Sequence, residues 1–315
     1  MKHLLWLAAA PLLLAATQDS PGPLAQATLN VRQADGSYKL VDRFDVPADH
    51  KIHDGMVAME GPGWESDKVA YRLYLDERNV PDIYGKKLPA PILPRIGMGK
   101  DDYHTLADWG MDIFQVNQSL GMGGIGVLRG GKATQLGPAK ISARVWNTER
   151  AATVLVTNGG FAGEGGAADL STTYRIAPGS RVTNVEARVS GKVPVMVAGL
   201  TLHPNVSRIE SPKRGSWRYV ATWGVQSLAH DQLGIALFYP ADEALAPASD
   251  GDSLYVQFCD PRTLRYAFAA AWVQEPGAPK TEKAFRQWLD DAAADLARQP
   301  YAPPTGQKFC PAKGS

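Results

Sequence analysis

Apolar and polar residues alternate with a period of two through most of this chain, and that period limits the possible folds more than any other feature. In "KVAYRLYLD", Val69, Tyr71, Leu73 and Leu75 point one way, while Ala70, Arg72, Tyr74 and Asp76 point the other. Successive residues of a strand face opposite sides of its sheet, so this segment reads as a strand with an apolar and a polar face. "KISARVWN", "ATVLVTNG", "LSTTYRIAPG", "RVTNVEARVSG", "VPVMVAGLTLH", "WRYVATWGVQSLA", "LGIALFYP", "SLYVQFC" and "LRYAFAAAWV" follow the same pattern, separated by Gly, Pro, Asn and Asp clusters. Many short strands between turn signals imply an antiparallel sandwich or barrel rather than strand–helix units. The length of 315 residues calls for a large one. The expected fold is mostly β, a large antiparallel β-sandwich of the supersandwich, galactose-mutarotase-like kind. One C-terminal helix is expected in "TEKAFRQWLDDAAADLARQ", where Phe285, Trp288, Leu289, Ala292 and Leu296 share a face between Pro279 and Pro300.

The first residues, MKHLLWLAAAPLLLAA, join a basic start to an apolar run of about a dozen residues, which reads as a secretory signal peptide too short for a membrane span. Cleavage is expected after Ala16, or after Ala27 in the small-x-small sequence Ala25-Gln26-Ala27. The expected organisation is a signal peptide over 1–27, one β-sandwich domain over 28–300 and a tail over 301–315. Export implies a periplasmic or extracellular protein. In an oxidising compartment the two cysteines, Cys259 and Cys310, are expected to pair and staple the tail to the body. The formal net charge of +1, without a run of one sign, favours neither nucleic acid nor an anionic membrane as partner. The stretch "NGGFAGEGGAAD" reads as a mobile loop, and its glycines lack the strand-then-helix setting of a phosphate loop.

Two segments concentrate chemistry. In "GKDDYHTLADWGMDIFQ", His104, Asp108 and Asp112 are spaced by four, which puts them on one face of either a helix or a strand. A strand is expected from Trp109 onward, with "GKDDYH" as a loop. A histidine between carboxylates can be held in one tautomer and used as acid or base. The same trio, His104, Asp108 and Asp112, could instead hold a divalent cation such as calcium. A buried aspartate needs a partner, which gives Arg72, Arg78 or Arg95 a structural role. In the second segment, "HDGMVAMEGPGWESDKVAYRLYLDERNVPDIYGKK", a tight turn at Gly61-Pro62-Gly63 is expected to present Glu60, Trp64, Glu65 and Asp67 before a strand with Arg72 on its polar face; His53 precedes the turn and Lys87 ends the segment. A tryptophan beside acidic groups suits a sugar, stacking on its ring while carboxylates accept its hydroxyl protons.

"EGPGWESDKVAYRLYLDERNVPDIYGKK" and "YHTLADWGMDIFQVNQSLGMGGIG" resemble a bacterial family catalogued as a domain of unknown function, over about Thr28 to Pro300. The resemblance implies export and a setting among genes that degrade uronate-containing polysaccharides. It implies no catalytic residues.

Among the remaining candidates, His203 ends a strand and can reach a cleft rim, whereas His230 reads as a solvated turn residue. Trp217, Tyr219 and Trp223 share one strand face and read as sheet-packing core, with a sugar-stacking platform as the alternative. The function expected from these parts is a lyase that cleaves an oligo- or polysaccharide by β-elimination beside a uronic acid. His104 or His53 serves as base, Tyr103 or Tyr71 as acid, and Arg72 or Lys87 neutralises the carboxylate. Glu60, Trp64, Lys87, Trp109 and His203 are the expected substrate contacts. The alternatives are a glycoside hydrolase using Glu60, Asp108 and Asp112 and a non-catalytic sugar-binding protein. No Gly-x-Ser-x-Gly elbow points to a serine hydrolase.

Overall fold

The computed structural model describes residues 24–99 and 102–311. The segment expected to be a signal peptide lies, up to residue 23, outside them. The period-two segments form a nine-stranded antiparallel sheet in the order Ser207–Glu210, Trp217–Val225, Gln232–Pro240, Thr263–Trp272, Val182–Gly191, Gly166–Ile176, Ala151–Gly163, Lys140–Thr148 and Arg43–Asp45. Two five-stranded sheets pack against one face of this long sheet. The first runs Ala25–Thr28, Gly63–Ser66, Ala70–Leu73, Pro81–Lys86, Gly110–Asp112. The second runs Lys132–Thr134, Met122–Arg129, Met196–Thr201, Ser253–Gln257, Ala248–Ser249. The mostly-β antiparallel architecture with a C-terminal helix is therefore as expected.

One apolar core runs from Ala25 to Trp272 between the layers. Its centre is Trp64, which is fully buried, stacks on Tyr174 with ring centroids 5.0 Å apart, and donates from Nε1 to Thr183 Oγ1 at 3.0 Å. Trp64 therefore corrects the expectation of a sugar contact. It alternates with Gly63 and Glu65, and its parity directs it inward to the long sheet. Tyr71, another candidate acid, is buried on the same side, accepting from Ala270 N at 2.8 Å and donating to Arg181 O at 3.0 Å. Gly85 marks how close the layers come: a Cβ there would meet Trp272 Cε3 at 2.4 Å.

On the opposite face of the long sheet lies the helix Glu282–Arg298, capped by Thr281, whose side chain accepts from Ala284 N. It buries Phe285, Leu289 and Leu296 against Trp223, Phe238 and Ala269. Trp217, Tyr219 and Trp223 belong to this packing. No helix among the described residues is long and apolar enough to cross a membrane.

The glycine-rich stretch is a correction. It forms the ends of the strands Ala151–Gly163 and Gly166–Ile176, joined by a tight turn, with a register shift between Asn158 and Phe161. Its glycines serve this bulge and turn. Cys259 and Cys310 form a disulfide, closing 51 residues. The tail is also held by Cys310 N donating to Asp242 O and by Tyr301, whose ring lies 3.5 Å from the Arg265 guanidinium.

Two outcomes follow from this packing. Trp64→Ala should cost about 3–5 kcal/mol, read from urea unfolding. Cys310→Ser should free the tail to limited proteolysis while the sandwich resists it, and mass spectrometry of the digest shows which part is cut.

Candidate functional site

The small sheet carrying Trp64 has a second face, and there the alternation places charge. Arg72 stands opposite Asp82, and Tyr84 stands opposite Asp112. Register thus gathers four polar side chains from three strands onto the side turned away from the sandwich core. The 58–60 turn and residues of the 92–99 and 102–109 segments cover them, packing Met59, Ile92, Leu93, Ile96, Tyr103 and Trp109 around Tyr84. A second buried pair fastens the cover. Lys86 Nζ lies 2.7 Å from Glu65 Oε2, and Glu65 accepts from Ile92 N and Leu93 N at 2.9 Å. Burial raises the Glu65 carboxyl pKa, with the Lys86 charge opposing it.

Arg72 is the hub. Its side chain is only 2% exposed. Nη2 donates to Asp112 Oδ2 at 2.7 Å, Asp82 Oδ2 at 2.8 Å and Tyr74 OH at 2.8 Å. Nη1 donates to Met59 O at 3.1 Å and Tyr103 OH at 3.4 Å, and lies 3.6 Å from Glu60 Oε2. This corrects the expectation that Arg72 meets a substrate carboxylate. Its charge is already spent on Asp82 and Asp112, and it acts through Tyr103 and the turn that bears Glu60. Backbone strain gathers in the same place, since His53, Met59 and Glu60 all take positive φ, at 64°, 57° and 63°.

Three of the expected residues form the outer rim of this hub. His53 Nδ1 lies 2.5 Å from Glu60 Oε1, which also lies 3.3 Å from Arg78 Nη2. Tyr103 is half-buried, with its ring 4.4 Å from that of His104. His104 Nε2 lies 3.5 Å from Asp112 Oδ2 and its Nδ1 lies 3.7 Å from Asp102 Oδ1. The histidine therefore does sit between carboxylates, but the second is Asp102 rather than Asp108. Both histidines are open to solvent, with side chains 74% and 58% exposed for His53 and His104.

Burial, then the Asp82 charge, hold the Asp112 carboxyl well above the usual carboxylate range, against the pull of Arg72. Burial also raises the Tyr103 phenol, with Arg72 opposing. The rim therefore offers His53 against Glu60, His104 against a carboxyl group that holds its proton more firmly than usual, and a phenol that keeps its own.

Other expected residues stand elsewhere. Asp108 is exposed in the loop before Gly110–Asp112, because the strand begins only at Gly110 and the four-residue spacing runs through irregular chain. The trio His104, Asp108 and Asp112 therefore does not assemble. Among the described residues no group of three or more His, Cys, Asp or Glu side chains is arranged to hold a metal. His203 is apart from the hub, with Nε2 3.0 Å from Gln115 O and its ring stacked on Phe114. Burial lowers its pKa. Trp109 packs on Tyr84 at 6.2 Å, and its carbonyl accepts from Lys87 N at 2.8 Å. Asp82, Tyr74 and Tyr84 were missed by sequence reasoning. The only signal for Asp82 and Tyr84 was their period-two position in "PDIYGK" opposite Arg72. Arg78 and Arg72 do have the structural role expected, Arg78 on Asp76 and Arg72 on Asp112.

Fold and rim together define an antiparallel β-sandwich protein with a solvent-facing acid–base cluster on its smaller sheet. Residues 13–301 match the family described as "Domain of unknown function (DUF4861)", and the chain belongs to that family. No curated protein matches it.

Arg72→Leu should destabilise the fold by about 3–5 kcal/mol, because it leaves Asp82 and Asp112 buried without their cation; urea unfolding measures this. The raised Asp112 carboxyl has a sign that can be checked. The folded chain keeps this proton longer than the unfolded chain, so stability is full below the ordinary carboxylate range and declines as pH rises through the raised value. Asp112→Asn should flatten that decline, read as the urea midpoint across pH, and parallel profiles would contradict it.

Proposed function

We propose that this protein is an exported carbohydrate-active lyase that cleaves a uronic-acid-containing oligo- or polysaccharide by β-elimination. The observation that carries this reading is the pairing of His104 with Asp112 beside Tyr103, whose phenol is held by the buried Arg72. Elimination breaks the C5–H bond, and the electron pair forms the C4–C5 double bond as the C4–O bond breaks. His104, positioned between Asp102 and the Asp112 carboxyl group, takes the C5 proton. Tyr103, whose raised pKa keeps its hydrogen in place, gives a proton to the departing oxygen. Lys87, which follows the strand of Tyr84 and Lys86, is the cation assigned to neutralise the uronate carboxylate, a role Arg72 cannot fill from beneath. His53 and Glu60 bound the other side of the site, and Trp109 lies beneath its edge.

A hydrolase fits less well. Asp112 is sealed under Arg72, Glu60 is engaged by His53 and Arg78, and Asp108 is outside the cluster. Export is supported by the disulfide, which suits an oxidising compartment. The buried strand Ala25–Thr28 pairs with Gly63–Ser66, so cleavage after Ala16 leaves it whole whereas cleavage after Ala27 would remove most of it.

Incubation with polygalacturonate, alginate and polyglucuronate should raise the ultraviolet absorbance of unsaturated uronate ends. His104→Ala should lower that rate about 10²- to 10⁴-fold. New reducing ends without absorbance would replace the lyase with a hydrolase. Binding with neither would leave a sugar-binding protein.

A further inference from the structure

The exposed face of the nine-stranded sheet carries a feature that the acid–base cluster does not use. Asp45, Ser142, Thr157, Ser171, Arg188 and Thr263 stand in register, one on each of six adjacent strands. All six alternate with residues that enter the core, so all point outward. Ser142 and Thr157 share a hydroxyl–hydroxyl bond of 2.7 Å. At the usual strand spacing, six strands make a floor about 24 Å across, enough for several sugar rings. A groove of about 850 Å³ lies over this floor. It is walled by Arg43, Lys140, Arg262 and Pro304 as well as Arg188.

Its charge is unbalanced. Asp45 is taken by Arg43 at 3.0 Å, and Asp169, the other acid at the groove, accepts from Gly160 N at 2.9 Å. Among the described residues Lys140, Arg188 and Arg262 have no carboxylate within ion-pair distance. Exposed cations over a floor of hydroxyls suit a chain that is both anionic and rich in hydroxyl groups. Trp146 lies on the same outward side of its strand as Ser142 and is 40% exposed, a flat ring of the kind that stacks on sugars.

The groove does not end at the sheet edge. A second cavity of about 820 Å³ shares Val46, Lys140 and Ile141 with the first and continues past His50 to Asp76 and Glu77. Asp76 binds Arg78, and Arg78 binds Glu60, the partner of His53. The two cavities thus adjoin in one path along the outer face of the long sheet, which stops at Asp76, two ion pairs from the His53–Glu60 contact.

We propose that this path is an extended binding groove for a polyanionic sugar chain, which the outer sheet grips at a distance and delivers to the His53–Tyr103–His104 rim. It rests on the lyase reading for what happens at that rim, and on the groove alone for the grip. The substrate is then a polymer rather than a short fragment, and affinity rises with chain length.

Binding separates the two ideas, because it needs no turnover. His104→Ala protein is titrated calorimetrically with galacturonate, mannuronate and glucuronate oligomers of increasing length, and with fully methyl-esterified galacturonate oligomers as the uncharged counterpart. At least one acidic series should bind more tightly as it lengthens, and the esterified series should not. Arg188→Ala and Arg262→Ala should each weaken the longest acidic oligomer about tenfold or more, and Trp146→Ala should weaken it as well. Arg286→Ala, on the helix, should leave binding unchanged and controls for general charge. The groove is overturned if no acidic series binds, if the Arg188 and Arg262 variants bind like the parent, if Arg286→Ala loses as much, or if single-stranded DNA binds better than any sugar. Length-dependent binding with no unsaturated product from the wild type keeps the groove and removes the lyase.

Discussion

The Arg72 guanidinium, buried among Asp82, Asp112 and Tyr74, is the interaction on which the candidate site depends. A lone charge there would be too costly, and two carboxylates without it would be costlier still. The group persists because each member completes another's hydrogen bonds. Asp82 accepts from Arg72 and from Tyr74 OH at 2.6 Å, and its Oδ1 accepts from Ile83 N at 2.8 Å. What reaches the surface from this hub is indirect: a phenol, a strained turn bearing Glu60, and an aspartate behind His104. The hub is a scaffold for the exposed rim rather than part of it.

This explains the division of labour between the faces of the small sheet. Its inner face gives Trp64, Tyr71 and Ile83 to the core and fixes the sheet on its partner. Its outer face can then hold charge because loops, not solvent, cover it. The buried Glu65–Lys86 pair ties that cover down by binding the main chain at Ile92 and Leu93. Removing a charge on one face would therefore be felt through the cover before it reached the core.

Much of this was legible in the chain, and the failures have common causes. Alternation in Ala70–Leu73 and Lys140–Thr148 correctly gave strands and their two faces, and the dense histidine segments do meet. Trp64 was misassigned because Gly61-Pro62-Gly63 read as a tight turn that presents it before a strand, whereas it lies within the strand Gly63–Ser66 and faces inward. Periodicity also fails where the chain leaves regular structure, which is why Asp108 was grouped with His104 and Asp112. Lys86 and Lys87 are adjacent and chemically alike, and only pairing across the sheet decides that Lys86 is buried with Glu65. Asp82 and Tyr84 became visible only through register, a property of two strands rather than one. In "NGGFAGEGGAAD" the glycines signalled flexibility, while the physical demand they meet is a bulge and a hairpin turn.

The tail carries a last implication. Pro304 helps to wall the outer groove, yet it lies past residue 301, where the family match ends, and it is fixed to the body by the Cys259–Cys310 bridge. One side of the trough is thus an appended strap, not part of the sandwich. Over its described residues such a strap pairs with no strand, so a change in its length or residues would reshape that wall while leaving the pairing of every sheet intact. Because a thiol pair secures it, that side would be finished only once the chain has met an oxidant.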